Sequence, residues 1–234
     1  MRYSPIPNEA QTITAELWTS APSATIMLQV LSQANLRHPH KLLPYKQHLR
    51  LFAASCTRRI AHLLADIRSR VAVQTAELFA NGRASTSAMQ TAYTNASSAI
   101  MEHAHTYSAF SLTQQTHFHP TGVNEQILHG AAVLHAAAAA ATCCLAEPAS
   151  TSLSVATACA KYTTRALYWE HLAIGADKII ISELMDGEEQ RQAHILRLFV
   201  GNPFAPQTFP PMNLPSANST AQEASCTQHY VNAA

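Results

Sequence analysis

Charged residues are scarce in this chain of 234 residues: only 12% are Asp, Glu, Lys or Arg, and their formal sum is +1. There is no basic excess to hold a nucleic-acid backbone and no acidic tail, so neither nucleic acid nor another electrostatic partner is expected. Glycine is also rare, with six residues. No glycine-rich phosphate loop, Gly-x-Ser-x-Gly elbow or His-Glu-x-x-His pair occurs, so the best-marked phosphate, ester and zinc chemistries have no signature here. The five cysteines are odd in number and include no Cys-x-x-Cys. A disulfide framework is not expected, and reduced thiols in a cytoplasm are the simpler reading. Long apolar runs are missing too. Residues 1–9 hold no apolar stretch of signal-peptide length. The most membrane-like segment, Ala131 to Ala146, is mostly Ala, is interrupted by His135 and falls short of the roughly 20 residues a spanning helix needs. No membrane association is expected.

Abundant alanine and 47% apolar residues favour helix over strand. The strongest helical pattern is Tyr45, Leu49, Phe52, Cys56, Ile60 and Leu63, spaced by threes and fours on one stripe that must be buried. Arg50, Arg58, Arg59 and His62 fall off that stripe. The expected fold is all-α, an antiparallel bundle of about six to seven helices with irregular N- and C-terminal segments. A single domain over 1–205 would contain a helical hairpin at 44–82 and Ala-rich helices over 86–200, followed by a flexible tail at 206–234.

In chain order, residues 1–13 read as loose and 14–18 as a short turn or helix, with Trp18 against the core. Ser23 caps a helix burying Ile26, Met27, Val30 and Leu31. The next helix runs from about Tyr45 to Leu64. Asp66 or Ser69 then caps one with Val71, Thr75, Leu78 and Phe79 inward, stopped at Asn81-Gly82. A helix follows from Ser87 to Tyr107, with Met89, Tyr93, Ile100 and Met101 as its larger residues. Ser108 to Gly122 reads as irregular. Asn124 caps an Ala helix ending near Ala146, and another helix from Ser150 to His171 carries Leu153, Val155, Tyr162, Leu167, Tyr168 and Trp169. Asp177 starts the last, with Ile180, Ile181, Leu184, Ile195, Leu198 and Phe199 as core candidates; Gly187 either kinks or breaks it. Gly201-Asn202-Pro203-Phe204 terminates it, with Phe204 folding back.

Two stretches carry a family resemblance. Arg50-Leu51-Phe52-Ala53, Arg58-Arg59-Ile60, Asp66-Ile67-Arg68-Ser69-Arg70 and Ala76 to Gly82 form the first. Ile195 to Pro206, with Gly201-Asn202-Pro203-Phe204 at its centre, forms the second. They resemble a large paralogous family of uncharacterised planctomycete proteins, in which the motifs read RLFACACCRRIW and LLRDIFGNPFRP. Of the family's cysteine cluster only Cys56 remains, with Ala54, Ser55 and Thr57 beside it and Ala61 in place of the usual Trp. The resemblance implies a helical protein and supplies no activity. Because some relatives occur near toxin–immunity domains, it also implies an accessory role in such a system.

Candidate chemistry is thin. His38/His40, His103/His105 and His117/His119 are His-x-His pairs, but residues two apart on a helix point about 200° apart. Glu102 and His105 have the Glu-x-x-His spacing of carboxylate-bridged di-metal bundles, which need a second such motif and further carboxylates. Glu102, His103, His105, His117 and His119 are therefore the metal candidates, and no metal or other cofactor is expected. Cys143 and Cys144 read as small core residues rather than nucleophiles. Arg58, Arg59, Arg68 and Arg70 form a small basic cluster, either solvated and carboxylate-paired or an anion or acidic-partner contact. The expected function is a non-catalytic cytoplasmic helical scaffold or interaction module, meeting a second copy or a protein partner. The alternative is a His-based metal-binding protein or metallohydrolase.

Overall fold

Eight α-helices and one 3-10 turn make up the computed structural model, which describes residues 9–37, 45–115, 125–145 and 149–204; there is no strand among the described residues. The helices are α1 (Glu9–Ser20), α2 (Ala24–Arg37), α3 (Lys46–Arg58), α4 (Ile67–Ala80), α5 (Thr86–Gln115), α6 (Glu125–Cys143), α7 (Ala149–Ala173) and α8 (Lys178–Val200), with the 3-10 turn at Ala61–Leu63. One compact unit extends to Phe204.

Local chemistry sets the helix ends. Asp66 and Asp177 are extended N-caps whose carboxylates accept from the backbone N–H of Arg68 and Ile179, each at 2.7 Å. Ser23 Oγ accepts from the Ile26 N–H. Gly201, at φ 65° and ψ −144°, turns the chain out of α8 in a region that side-chain-bearing residues rarely enter. Phe204 then folds back onto Trp18, edge to face with centroids 6.0 Å apart. The Trp18 indole N–H donates to the Gly201 carbonyl at 2.7 Å, fastening the two ends of the unit.

The core stripe of α3 lies where its spacing placed it: Tyr45, Leu49, Phe52, Cys56, Ile60 and Leu63 are all buried. This helix touches α4, α6, α7 and α8. Being surrounded, it also buries Ala53, Ala54, Thr57 and Arg50, so the expectation of an outward Arg50 is corrected. Elsewhere alanine is the main packing residue. Helix α6 buries Leu128, Ala132, Ala136, Ala137 and Ala139 to Ala141, and α7 offers Ala156, Ala160 and Ala166. Small side chains let backbones approach closely and leave little volume to fill. Cys143 faces Cys159 while His135 faces Tyr162, so α6 and α7 run antiparallel.

Several boundaries and faces differ from expectation. Residues 9–13 are helical, as are 108–115, because α5 continues through 30 residues. The second expected helix stops at Arg58 and tightens into the 3-10 turn instead of reaching Leu64. Gly187 does not break α8, which runs unbroken from Lys178 to Val200. Ile26, Val71, Met101, Tyr168, Ile180 and Leu198 are exposed, while Ala72, Val73 and Ala76 form the inner face of α4, and Ala193 and Leu196 that of α8. An alanine-lined interface buries whichever side lets the backbones come close, so the largest side chains do not mark it. Helix α6 starts at Glu125 and is long and apolar enough, by length and composition alone, to cross a membrane. Its alanine face packs instead on its neighbours. His38, His40, His117, His119, Asn124 and the 206–234 tail lie outside the described residues.

Candidate functional site

The end of α3 places Arg58 and Arg59 side by side in sequence but aims them at different helices. Arg58 makes a two-nitrogen contact with Glu77 of α4. Arg59 reaches Glu188 of α8, Nε lying 2.8 and 2.9 Å from the two carboxylate oxygens and a terminal nitrogen 2.6 Å from Oε2. Arg68 joins its own cap Asp66 to Glu102 of α5, and Arg70 donates to the Leu64 carbonyl at 2.7 Å. All four arginines anticipated as a partner or anion contact thus have partners within the chain. The carboxylates register this: hydrogen bonds from Arg68 hold Asp66 and Glu102 below the usual carboxylate range.

Glu188 is the unusual member. Its side chain is 1% exposed against 31% for Arg59, and it also accepts from Gln192 Nε2 at 3.1 Å. Gln192, itself buried, reaches Thr164 Oγ1 at 3.2 Å on α7. A charge withdrawn from water needs such a set of donors to be tolerated. Above it opens a cleft of about 440 Å³ lined by Arg59, Gly187, Gln190, Arg191, His194 and Ile195. Arg191 stands 3.8 Å from Glu188 and is mostly solvent-facing. Both guanidinium groups of the cleft, Arg59 and Arg191, thus face Glu188, and the remaining lining includes the His194 imidazole and the Ile195 side chain.

No protein-family model, curated protein or solved structure matches the chain.

Of the metal candidates, Glu102, His103 and His105 fall among the described residues. Glu102 is held by Arg68. His103 is half-buried and His105 exposed, two residues apart on α5, while His117 and His119 lie outside the described residues. Among the described residues no three His, Cys, Asp or Glu side chains come together as a ligand set. His62 instead pairs with Glu170 at 2.8 Å.

Sequence reasoning missed Glu188 and Gln192. The signal existed: they continue, at steps of seven and four, the buried stripe that starts at Ile181 and reaches Leu196 and Val200. Polar residues on an apolar stripe mark a buried network. Cys143, Cys144 and Cys159 are buried, in accord with the reading of Cys143 and Cys144 as core residues.

Proposed function

We propose that this protein is a non-catalytic helical interaction module of the cytoplasm, associating through the turn between α7 and α8. The observation that carries this reading is three isoleucines around that turn, Ile174, Ile179 and Ile180, exposed at 71%, 71% and 52%. Gly175, at φ 76°, and the Asp177 cap fix the turn that presents them. Large apolar side chains exposed close together in the chain favour a contact site, and a chain with 12% charged residues has few charges to dilute them. Unjoined buried thiols favour a reducing compartment. A net charge of +1, with Arg58, Arg59 and Arg68 paired to carboxylates of the chain, gives little footing for nucleic acid. The alanine face of α6 is occupied by its neighbours, which argues for a globular rather than a spanning role.

Kinship with the planctomycete family belongs to the same proposal. Its support is that the two motif stretches meet: Phe52 and Cys56 of the first share a core cluster with Leu196, Val200 and Phe204 of the second. Light scattering across micromolar to near-millimolar concentration tests the interaction reading. Concentration-dependent association that Ile179→Asp/Ile180→Asp removes, with helicity unchanged, is the expected result. A compact monomer throughout, indistinguishable from that variant, overturns it.

A further inference from the structure

Where α6 ends against α7, the core holds a thiol pair beside a cation. Cys143 Sγ lies 3.4 Å from Cys159 Sγ and 3.2 Å from Thr57 Oγ1, all three residues being buried. Arg50 is 2% exposed, donates to the Cys143 carbonyl at 3.3 Å and lies over the Phe79 ring. Its Nε has no hydrogen-bond partner, and no carboxylate pairs with it among the described residues. A guanidinium stays charged, and a buried charge calls for a counter-charge. Among the described residues, the ionisable groups whose charge acts on Arg50 are the thiols of Cys143, Cys144 and Cys159.

We propose that Cys143 and Cys159 are an oxidisable dithiol, which a peroxide converts into a reversible disulfide bolting the end of α6 to α7. The hydrogen bonds already describe two arrangements. With Cys143 protonated, Thr57 donates to the Ala53 carbonyl and Cys159 to the Ala139 carbonyl, at 3.0 and 3.5 Å. With Cys143 ionised, both hydrogens turn to its sulfur, and Arg50 supplies the counter-charge. Of the four described thiols, Cys143 alone is shifted downward, held there by the hydrogen bonds from Cys159 and Thr57 and by the Arg50 charge against desolvation and Glu77. Burial pushes Cys159, Cys56 and Cys144 upward. One nucleophile and one protonated resolving thiol is the division of labour that peroxide chemistry requires.

The steps balance. The Cys143 thiolate attacks one peroxide oxygen; the O–O bond breaks, and the departing hydroxide takes a proton from solvent as water, leaving a sulfenic acid. The Cys159 sulfur then attacks the Cys143 sulfur, the S–OH bond breaks, and the hydroxide leaves as water with the Cys159 proton. The pair loses two electrons and the peroxide gains them; a dithiol reductant reverses the change. Closing the bond needs about 1.3 Å of approach from the observed 3.4 Å to the 2.05 Å of a disulfide. Cys143 is the last residue of α6, and fraying of a helix end opens a route for an oxidant little larger than water.

The test exposes the full chain to hydrogen peroxide with a metal chelator, alkylates under denaturing conditions and maps the peptides by mass spectrometry. Exposed Met101 serves as the internal measure of oxidant dose. A Cys143–Cys159 linkage forming before Met101 sulfoxide, and erased by dithiothreitol, is expected. Cys159→Ala, a small-for-small change, should instead accumulate sulfinic acid at Cys143. Arg50→Met should slow linkage about tenfold and move its pH midpoint upward, as expected when the thiolate loses its cation. If Arg50→Met does not fold, Thr57→Val carries the same expectation at severalfold. Cys143 and Cys159 both still alkylated after Met101 is oxidised, or linkage through Cys56, Cys144 or Cys226 instead, overturns the proposal.

Discussion

Arg59→Ala is the sharpest probe of how this bundle tolerates a buried charge. The substitution leaves the Glu188 carboxylate, 1% exposed, without its two-nitrogen partner. Breaking a buried pair by removing one member costs about 3–5 kcal/mol. Two compensations remain: Gln192 still donates at 3.1 Å, and Arg191, 3.8 Å away, can move closer. The expected loss is therefore at the lower end, about 3 kcal/mol, or roughly 6–12 °C in Tm for a chain of this size. Glu188→Gln is the control. It strands Arg59, but Arg59 is 31% exposed and regains water, so its cost should be only about 1–2 kcal/mol. Arg59→Met/Glu188→Met removes both charges and should lie near wild type. Urea unfolding followed by far-ultraviolet circular dichroism gives all three values. A loss below about 1 kcal/mol for Arg59→Ala, or a larger loss for Glu188→Gln than for Arg59→Ala, refutes the account of Glu188 as a charge dependent on Arg59.

Gly187→Ala should raise stability by about 0.5–1 kcal/mol, since Gly187 is interior to a continuous helix and an added Cβ meets nothing nearer than Arg191 at 4.0 Å; thermal melting reads it. Trp18→Phe strips the donor from the Gly201 carbonyl and leaves a void where the larger indole was buried, and should cost about 2–3 kcal/mol by denaturant titration. Stability should also fall in alkali through Cys144. Burial pushes its thiol up to about 12 from the ordinary value of 9.0, so the unfolded chain loses that proton first. The contribution is whole below pH 9 and is lost as the pH rises toward 12, at up to about 1.4 kcal/mol per pH unit. Cys144→Ala should flatten this slope, measured by unfolding at pH 8, 9 and 10; an unchanged slope counts against the shift.

The amino-acid sequence by itself determined that the chain is helical and where several helices begin and end. Those are local matters: a three-and-four spacing for Tyr45 to Leu63, an Asp at 66 and 177 free to accept from the next turn, a Gly at 82 and 201 able to take positive φ. Each depends on residues within a turn or two, so it can be read without knowing the neighbours. What encloses a helix cannot. Arg50 reads as outward until α4, α6, α7 and α8 are placed around α3, and Val71, Ile180 and Leu198 read as core until Ala72, Ala76 and Ala193 let the backbones close on the other side. Only the tertiary structure decided the charge pairs as well. Arg59 and Glu188 stand 129 positions apart, and Cys143 meets Cys159 across two helices. Burial and pairing are properties of the space between elements, and in a bundle lined with alanine that space is set by how closely backbones approach, which no single side chain announces.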